Sequence, residues 1–311
     1  MSAQFRKNSA NAQSGGRPPA AIEIMPEGVL AAVRPGGTGK RGAQDDDTFT
    51  FAPLPPGALV PGIDEPNLRA PDAVTAAIRS ALSEVSPRTR AVTVVLPDTV
   101  VRVFVLDFDA LPEKAAEALS VVRFRLRKMV PFDVEQAGVS YQVIAQAESG
   151  YKVLAAVLPG PILAEYEAAV RDAGYEPGAL LPSSLAALET ADLMEAFLAA
   201  NLSAQALTTS IANGQDLLLY RTIDLPTEPA LRIEEIQRCI AVAVAYFEDK
   251  LGARPRRIHY AGIFRPEDFA SMMGDPELAV VEWSPHPDEG AMTALPQINF
   301  AGVAGALAGA A

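Results

Sequence analysis

Residues 91–174 constrain the fold more than any other stretch, because their hydrophobic pattern switches repeatedly between the period of a strand and that of a helix. Ala91–Leu96 is a continuous apolar run, which is typical of a strand covered on both faces. Apolar residues then alternate along 101–105. We expect these two strands to form a hairpin that turns at Pro97–Thr99.

A helix is predicted next, from Pro112 to Met129, and Pro131 ends it. Its apolar stripe comprises Ala115, Leu119, Val122, Leu126 and Met129. Four basic residues lie near its carboxyl end: Arg123, Arg125, Arg127 and Lys128. They suit a solvated helix end, where cations complement the macrodipole, and they equally suit the rim of a groove for a partner's peptide.

A second hairpin and helix complete this unit as β-β-α-β-β-α. The rest of the sequence predicts further elements in chain order. They are strands Ala20–Ile24, Val29–Val33 and Thr48–Ala52, helix Pro71–Leu82, hairpin Val139–Ala145 with Tyr151–Leu158, helix Pro161–Ala173, strand Tyr175–Leu181, helix Ser183–Glu189 capped by Ser183, hairpin Ala206–Ala212 with Asp216–Arg221 around Asn213-Gly214, helix Leu231–Leu251, strand Arg257–Ala261, helix Pro266–Met273, strand Glu277–Val281 and a closing Gly/Ala-rich helix.

The composition of the chain limits the classes of function that it can have. With 311 residues and 49% hydrophobic content, the chain can bury the cores of two lobes. A net charge of −12 argues against nucleic acid as a partner, because phosphate binding needs Lys and Arg. Residues 1–19 are predicted to be a disordered leader, no apolar run reaches the ~20 residues that span a bilayer, and the single Cys239 excludes a disulfide framework. A reducing cytoplasm fits these features.

No catalytic or metal site is assigned. The stretch PGGTGKR resembles a phosphate-binding loop, but the pattern needs Gly and Ser/Thr where the chain has Arg34 and Arg41. His259 and His286 share no motif. Asp45, Asp46 and Asp47 are interpreted as a solvated charge run, Cys239 as a packed hydrophobe, and Ser183-Ser184 as a helix cap before a nucleophile.

Several long segments resemble the PilM family, the cytoplasmic actin-like proteins of type IV pilus assembly that are related in fold to FtsA. The resemblance rests on PLPPGALVPG, RAVTVVLPDTVVRVFVLDF, LPEKAAEALSVVRFRLRKMVPF and AVLPGPILAEYEAAVRDAGYEPGALLPSSLAAL. It implies an α/β, two-lobed actin-like ATPase fold with an inserted β-β-α-β-β-α subdomain. The implied segments are 20–90 (first subdomain, first part), 91–174 (inserted subdomain), 175–200 (return to the first subdomain) and 201–311 (reduced second lobe).

The same resemblance implies a nucleotide site whose turns are degenerate here. The positions concerned are Glu23, Asn213, Gly214 and Gly262, and Pro26 removes a backbone donor from the first turn. Between Ile223–Pro226 and the long helix there is no room for the helical subdomain that caps ATP. We therefore expect no cofactor and no ATP hydrolysis. A nucleotide-binding switch or polymerising protein that uses ATP and Mg²⁺ remains the alternative.

The implied partner is the cytoplasmic N-terminal peptide of a PilN-like inner-membrane protein. Membrane association would come only through this partner, and self-association stays open. The groove is predicted at Val101, Val103, Val105, Phe124, Arg125, Lys128, Pro131 and Phe132. A cytoplasmic scaffold of type II secretion, which also has this fold, is a further alternative.

Overall fold

The computed structural model describes residues 17–34, 47–147, 150–191, 195–214, 216–283 and 298–310. Within these ranges the chain forms thirteen strands and seven α-helices arranged around three sheets. Two five-stranded mixed sheets form the bodies of two lobes, and a three-stranded antiparallel sheet is inserted in sequence between two strands of the first of them. Among the described helices, none combines the length and hydropathy that a membrane crossing requires.

The first sheet has the strand order β3-β2-β1-β4-β8. These strands are β1 (Ala20–Met25), β2 (Gly28–Val33), β3 (Thr48–Pro53), β4 (Ala91–Leu96) and β8 (Glu176–Pro182). The predicted β1–β2 hairpin is confirmed, whereas β4 runs parallel to both β1 and β8.

Helices cover both faces of this sheet, which explains its continuous apolar runs. On one face lie α1 (Pro71–Val85) and α3 (Gly160–Asp172), where Ile78 and Tyr166 join the core. On the other lie α4 (Ser183–Ala187) and α7 (Ala301–Ala308), which confirms the closing helix predicted from the glycine-rich tail.

The second sheet has the order β11-β10-β9-β12-β13. These strands are β9 (Ala196–Leu202), β10 (Ala206–Asn213), β11 (Asp216–Asp224), β12 (Arg257–Gly262) and β13 (Ala279–Glu282). The β10–β11 hairpin is confirmed, with Gly214 at φ +61° in its turn. Helices α5 (Pro229–Leu251) and α6 (Pro266–Met273) pack on this sheet.

The third sheet has the order β5-β7-β6 and corrects the first hairpin prediction. Its strands are β5 (Arg102–Phe108), β6 (Gly138–Ala147) and β7 (Gly150–Leu158). A short 3-10 turn at Asp98–Val100 redirects the chain, so β5 pairs with β7 and never with β4. A continuous apolar run and an alternating pattern had predicted the two strands, but neither pattern carries information about pairing partners.

Helix α2 (Ala115–Leu126) packs on one face of this three-stranded sheet. Its buried face is Ala118, Val122 and Leu126, rotated from the predicted stripe, and Ala115 is exposed. The rotation occurs because the loop after the helix folds back and places Val134 and Ala137 in the same core.

The three-stranded sheet also touches the second lobe directly. Val103, Val105 and Leu154 pack against Leu217 and Tyr220 of β11. The predicted unit 91–174 therefore contributes β4 and α3 to the first lobe, while its middle part forms a separate sheet that contacts the second.

Candidate functional site

A surface groove lies between β5 and the carboxyl end of α2. Its lining comprises Val105, Leu106, Asp107, Phe124, Arg125, Lys128 and Met129, and its volume is ≈ 470 Å³. This volume falls within the range of about 300–1,000 Å³ that is usual for ligand sites. We call these seven residues the β5–α2 groove.

Two large apolar side chains are left in solvent at this groove. Phe124 is 65% exposed and Met129 is 42% exposed. Phe124 is exposed because α2 turns Ala118, Val122 and Leu126 toward the sheet, whereas Met129 lies in the turn after the helix. Exposed apolar side chains that share a concave surface are typical of an interaction site.

The four basic residues of α2 and its end separate into two pairs. Arg123 donates to the carbonyl oxygens of Val134 and Ala137, and Arg127 pairs with Glu135. These two stabilise the loop that follows the helix.

Arg125 and Lys128 behave differently, since both line the groove. Within the described ranges, neither has a hydrogen-bond or ion-pair partner. The groove therefore offers two cationic groups beside its apolar surface.

Strand β5 is an edge strand of the three-stranded sheet, and its Val103 and Val105 also pack against β11. In the described part of the chain it pairs with β7 on one side and with no strand on the other. Unpaired N–H and C=O groups along an edge strand can accept an added strand from another chain.

The structure brings together four of the predicted groove residues: Val105, Phe124, Arg125 and Lys128. Val101 is buried in the core of the first lobe, and Val103 packs toward the second. Pro131 and Phe132 lie beyond the helix, where Phe132 joins the core beneath α2.

Sequence reasoning missed Leu106, Asp107 and Met129. Met129 was assigned to the buried stripe of a helix that ends three residues earlier. The strand pattern was the signal for Leu106 and Asp107, because successive side chains of a strand alternate between its two faces and both faces meet at the edge that borders the groove.

A second polar site lies in the cleft between the two lobes. The carboxylate of Glu23, near the end of β1, accepts hydrogen bonds from Ser183 Oγ (2.6 Å) and from the backbone N–H of Val303 (3.0 Å). Burial, together with the nearby charge of Asp98, raises the pKa of Glu23 to about 7, although the two hydrogen bonds oppose this shift. Ser183 therefore serves this carboxylate and does not cap α4, as the sequence had suggested.

Asp98 holds both lobes through one carboxylate. It accepts hydrogen bonds from Ser184 N–H (3.0 Å) and Ser184 Oγ in the first lobe. In the second lobe, Thr208 Oγ1 and Tyr220 Oη each donate to it at 3.1 Å. Burial raises the pKa of Asp98, while these four donors oppose that shift.

The sequence matches no protein-family model and no curated protein. One chain of a solved PilM–PilN type IV pilus biogenesis complex is similar in structure, with a TM-score of 0.71 at 18% identity, over 94% of this chain and 98% of that one. The chain has a PilM-like, actin-like ATPase fold.

Two other solved structures are more distant. The cytoplasmic domain of EpsL, an inner-membrane component of the Vibrio cholerae type II secretion system, has a TM-score of 0.49 at 13% identity, over 86% of this chain and 89% of that one. A Bacteroides thetaiotaomicron protein with an actin-like ATPase fold has 0.49 at 10% identity, over 84% and 90%.

In this PilM-like fold the positions expected around a nucleotide are dispersed. Glu23 and the residue after Gly262, Ile263, both line the interlobe cavity. Asn213 and Gly214 lie at the opposite end of β10 from that cavity, because the strand runs away from it. The turn that reaches the cavity is Ser203–Gln205, between β9 and β10, which sequence reasoning did not identify.

The interlobe cavity of this PilM-like fold is small and acidic. Its volume is ≈ 60 Å³, several times below the usual ligand range of about 300–1,000 Å³. Three carboxylates line it, those of Glu23, Asp98 and the exposed Glu27, and among the described residues no Lys or Arg does. A triphosphate would meet negative charge without a compensating cation.

The other residues considered as candidates from the sequence either pack inside the fold or lie outside the described ranges. His259 stacks on Phe197 with ring centroids 4.4 Å apart, and burial lowers its pKa. Cys239 lies on the buried face of α5, and this burial raises the pKa of its thiol to about 11. Within the described ranges there is no cluster of three metal-ligating residues. The loop at 35–41, Asp45–Asp46 and His286 lie outside those ranges.

Proposed function

We propose that this protein is a cytoplasmic scaffold of a type IV pilus assembly platform, which binds the cytoplasmic N-terminal segment of a PilN-like inner-membrane protein. The observation that carries the proposal is the β5–α2 groove, found on a chain that shares its fold, over nearly its whole length, with a chain of a PilM–PilN complex. The partner supplies the link to the inner membrane.

The groove chemistry suits an extended peptide. The open edge of β5 can pair with its backbone, while Phe124 and Met129 offer an apolar surface for one or two of its side chains. Arg125 and Lys128 are available for its carbonyl or carboxylate oxygens. Apolar anchors with a polar rim are the usual anatomy of a binding hot spot.

The proposed role needs no ATP hydrolysis, and three features support that part of it. The interlobe cavity is too small for a nucleotide, no basic residue in the described lining meets a phosphate, and Pro26 lacks an N–H in the first turn. In addition, only residues 225–228 connect β11 to α5, so a nucleotide-capping helical subdomain has no place there.

Isothermal titration calorimetry with a synthetic N-terminal peptide of the PilN-like protein tests the proposal. Phe124→Ala should weaken binding at least about tenfold, since a central aromatic anchor contributes about 2 kcal/mol or more. Leu231→Ala is the matched control, because Leu231 is also a solvent-facing apolar residue on a helix (47% exposed) but lies on α5 in the second lobe.

Absence of binding by the wild-type protein, or equal losses in the two variants, would overturn the assignment of the groove. Binding only of the equivalent peptide from a type II secretion protein would move the scaffold to that system. Light scattering of the free protein decides whether it self-associates.

A further inference from the structure

Strand β6 differs in composition from the other edge strands in the described part of the chain. The unpaired N–H and C=O groups of an edge can accept a strand from another chain, and natural proteins prevent this with charged residues, prolines or very short edge strands. Such residues occur in the other five edge strands: Pro53 in β3, Glu176 in β8, Arg221 in β11, Glu282 in β13 and Arg102 in β5.

Strand β6 has no such protection in its composition or its length. Its sequence GVSYQVIAQA contains no charged residue and no proline. With ten residues it is also the longest strand within the described ranges. An edge of this kind is expected to be covered by another strand when the protein is in its working state.

The outer edge of β6 is accessible in the single chain. Strand β6 pairs with β7 on one side and, as far as the described residues show, with no strand on the other. None of its ten residues is buried, whereas Val153, Ala155 and Val157 of the neighbouring β7 are. Helix α2 contacts β6 on a face of the sheet, where Tyr141 Oη donates to the carbonyl oxygen of Ala115 at 3.3 Å.

A bulge limits the length of β6 that another strand can pair with. The register with β7 shifts between Val143 and Ala145, so Ile144 has no partner in β7. Because a bulge bends and twists its strand, the regular run is the first part, Gly138–Val143. Ser140 lies in this run, and its side chain is exposed on the face opposite to that of Tyr141.

A second copy of the same strand is the partner that suits this edge. When two β6 strands pair antiparallel, neutral residues meet neutral residues, so no like charges lie opposite each other. A charged foreign strand would find no complementary charge in β6. Pairing through the same edge of both copies also closes at two, because each copy uses its free edge once.

We propose that two copies of this protein form a twofold-symmetric dimer through antiparallel pairing of β6 along Gly138–Val143. Three strands from each copy then form one continuous sheet in the order β5-β7-β6-β6-β7-β5. Both β5–α2 grooves lie at the outer ends of this sheet, so the dimer can hold two partner segments at once. That last consequence rests on the proposed function, whereas the dimer itself does not.

Sedimentation velocity of the full chain over a wide range of concentration tests the dimer. Because pairing of one short strand is a small interface, we expect a dissociation constant on the order of micromolar. Ser140→Lys should weaken dimerisation several-fold, since it places like charges near the twofold axis. Ser271→Lys makes the same change at an exposed position of α6 in the second lobe and should dimerise as wild type does.

A mixing experiment separates charge repulsion from general damage to the strand. Ser140→Glu alone should also dimerise weakly, but an equal mixture of the Ser140→Lys and Ser140→Glu proteins should associate more strongly than either alone. Opposite charges then meet across the axis. Failure of the mixture to associate, when circular dichroism shows that both variants are folded, would overturn the β6 pairing.

Hydrogen exchange of the wild-type protein locates the interface without any variant. The backbone amides of Gly138–Val143 should become more protected as the protein concentration rises. A protein that stays monomeric, or concentration-dependent protection elsewhere but not in β6, contradicts the proposal and leaves this edge to a strand from another protein. No partner peptide enters these experiments, so their failure would not affect the assignment of the β5–α2 groove.

Discussion

At the scale of single residues, one carboxylate joins distant parts of this chain. Asp98 accepts from residues 86, 110 and 122 positions away in sequence: Ser184, Thr208 and Tyr220. The local pattern PDTV does not predict this role, because the partners of Asp98 are distant in sequence and only the fold brings them together. The same holds for Ser183 and Ser184, whose position before a helix suggested a cap.

Asp98→Ala removes the acceptor of these four hydrogen bonds and leaves buried donors behind. We expect a loss of about 3 kcal/mol or more in the free energy of unfolding, because orphaned buried donors cost more than the bonds themselves contribute. Urea unfolding followed by circular dichroism measures it. Asp109→Ala, at an exposed position, is the matched control. Equal midpoints for the two variants would show that Asp98 does not join the lobes.

At the scale of elements, the periodic parts of the sequence predicted most helices and strands. The β1–β2, β6–β7 and β10–β11 hairpins were predicted because each has a short turn between two apolar runs. Strand β9 was missed, since Ala196, Ala199 and Ala200 favour a helix by propensity and only the surrounding sheet makes this segment extended.

The groove was predictable in part for the same reason. Phe124, Arg125 and Lys128 follow from the helix and its basic end, and Val105 follows from the strand beside it. The sequence did not reveal the rotation of α2, nor that the helix ends at Leu126 and leaves Met129 exposed in the turn that follows. Tertiary packing fixes helix rotation wherever two stripes are both apolar enough to be buried.

Helix α7 depends on glycine for its close approach to α4. A Cβ on Gly305 would overlap the backbone carbonyl of Ala186, and the backbone cannot yield as a flexible side chain would. We expect Gly305→Ala to lower the free energy of unfolding by about 2–3 kcal/mol, although alanine is the better helix former. Denaturant titration measures the change.

Gly62→Ala provides the comparison, because a Cβ there meets nothing within 4 Å. It should leave the unfolding midpoint near that of wild type. A Gly305→Ala protein as stable as the Gly62→Ala protein would mean that α7 does not pack this closely on α4.

At the scale of the whole molecule, the three-stranded sheet fastens the two lobes to each other. Val103, Val105 and Leu154 bury apolar surface against the second lobe, and Arg102 lies 3.7 Å from Asp224 of β11. Together with Asp98, these contacts cross the cleft that a nucleotide would have to open. A closed cleft and an outward-facing groove are consistent properties of a scaffold.

This closure predicts that ATP does not bind. Thermal unfolding with ATP and Mg²⁺ should match thermal unfolding with Mg²⁺ alone at the same free concentration. The physical reason is the ≈ 60 Å³ cavity with three carboxylates and no basic residue in its described lining. A melting temperature that rises with ATP concentration, as mass action requires of a ligand for the folded state, would mean that the lobes open. The Asp98 contacts would then be a reversible latch, and the protein would be a nucleotide switch.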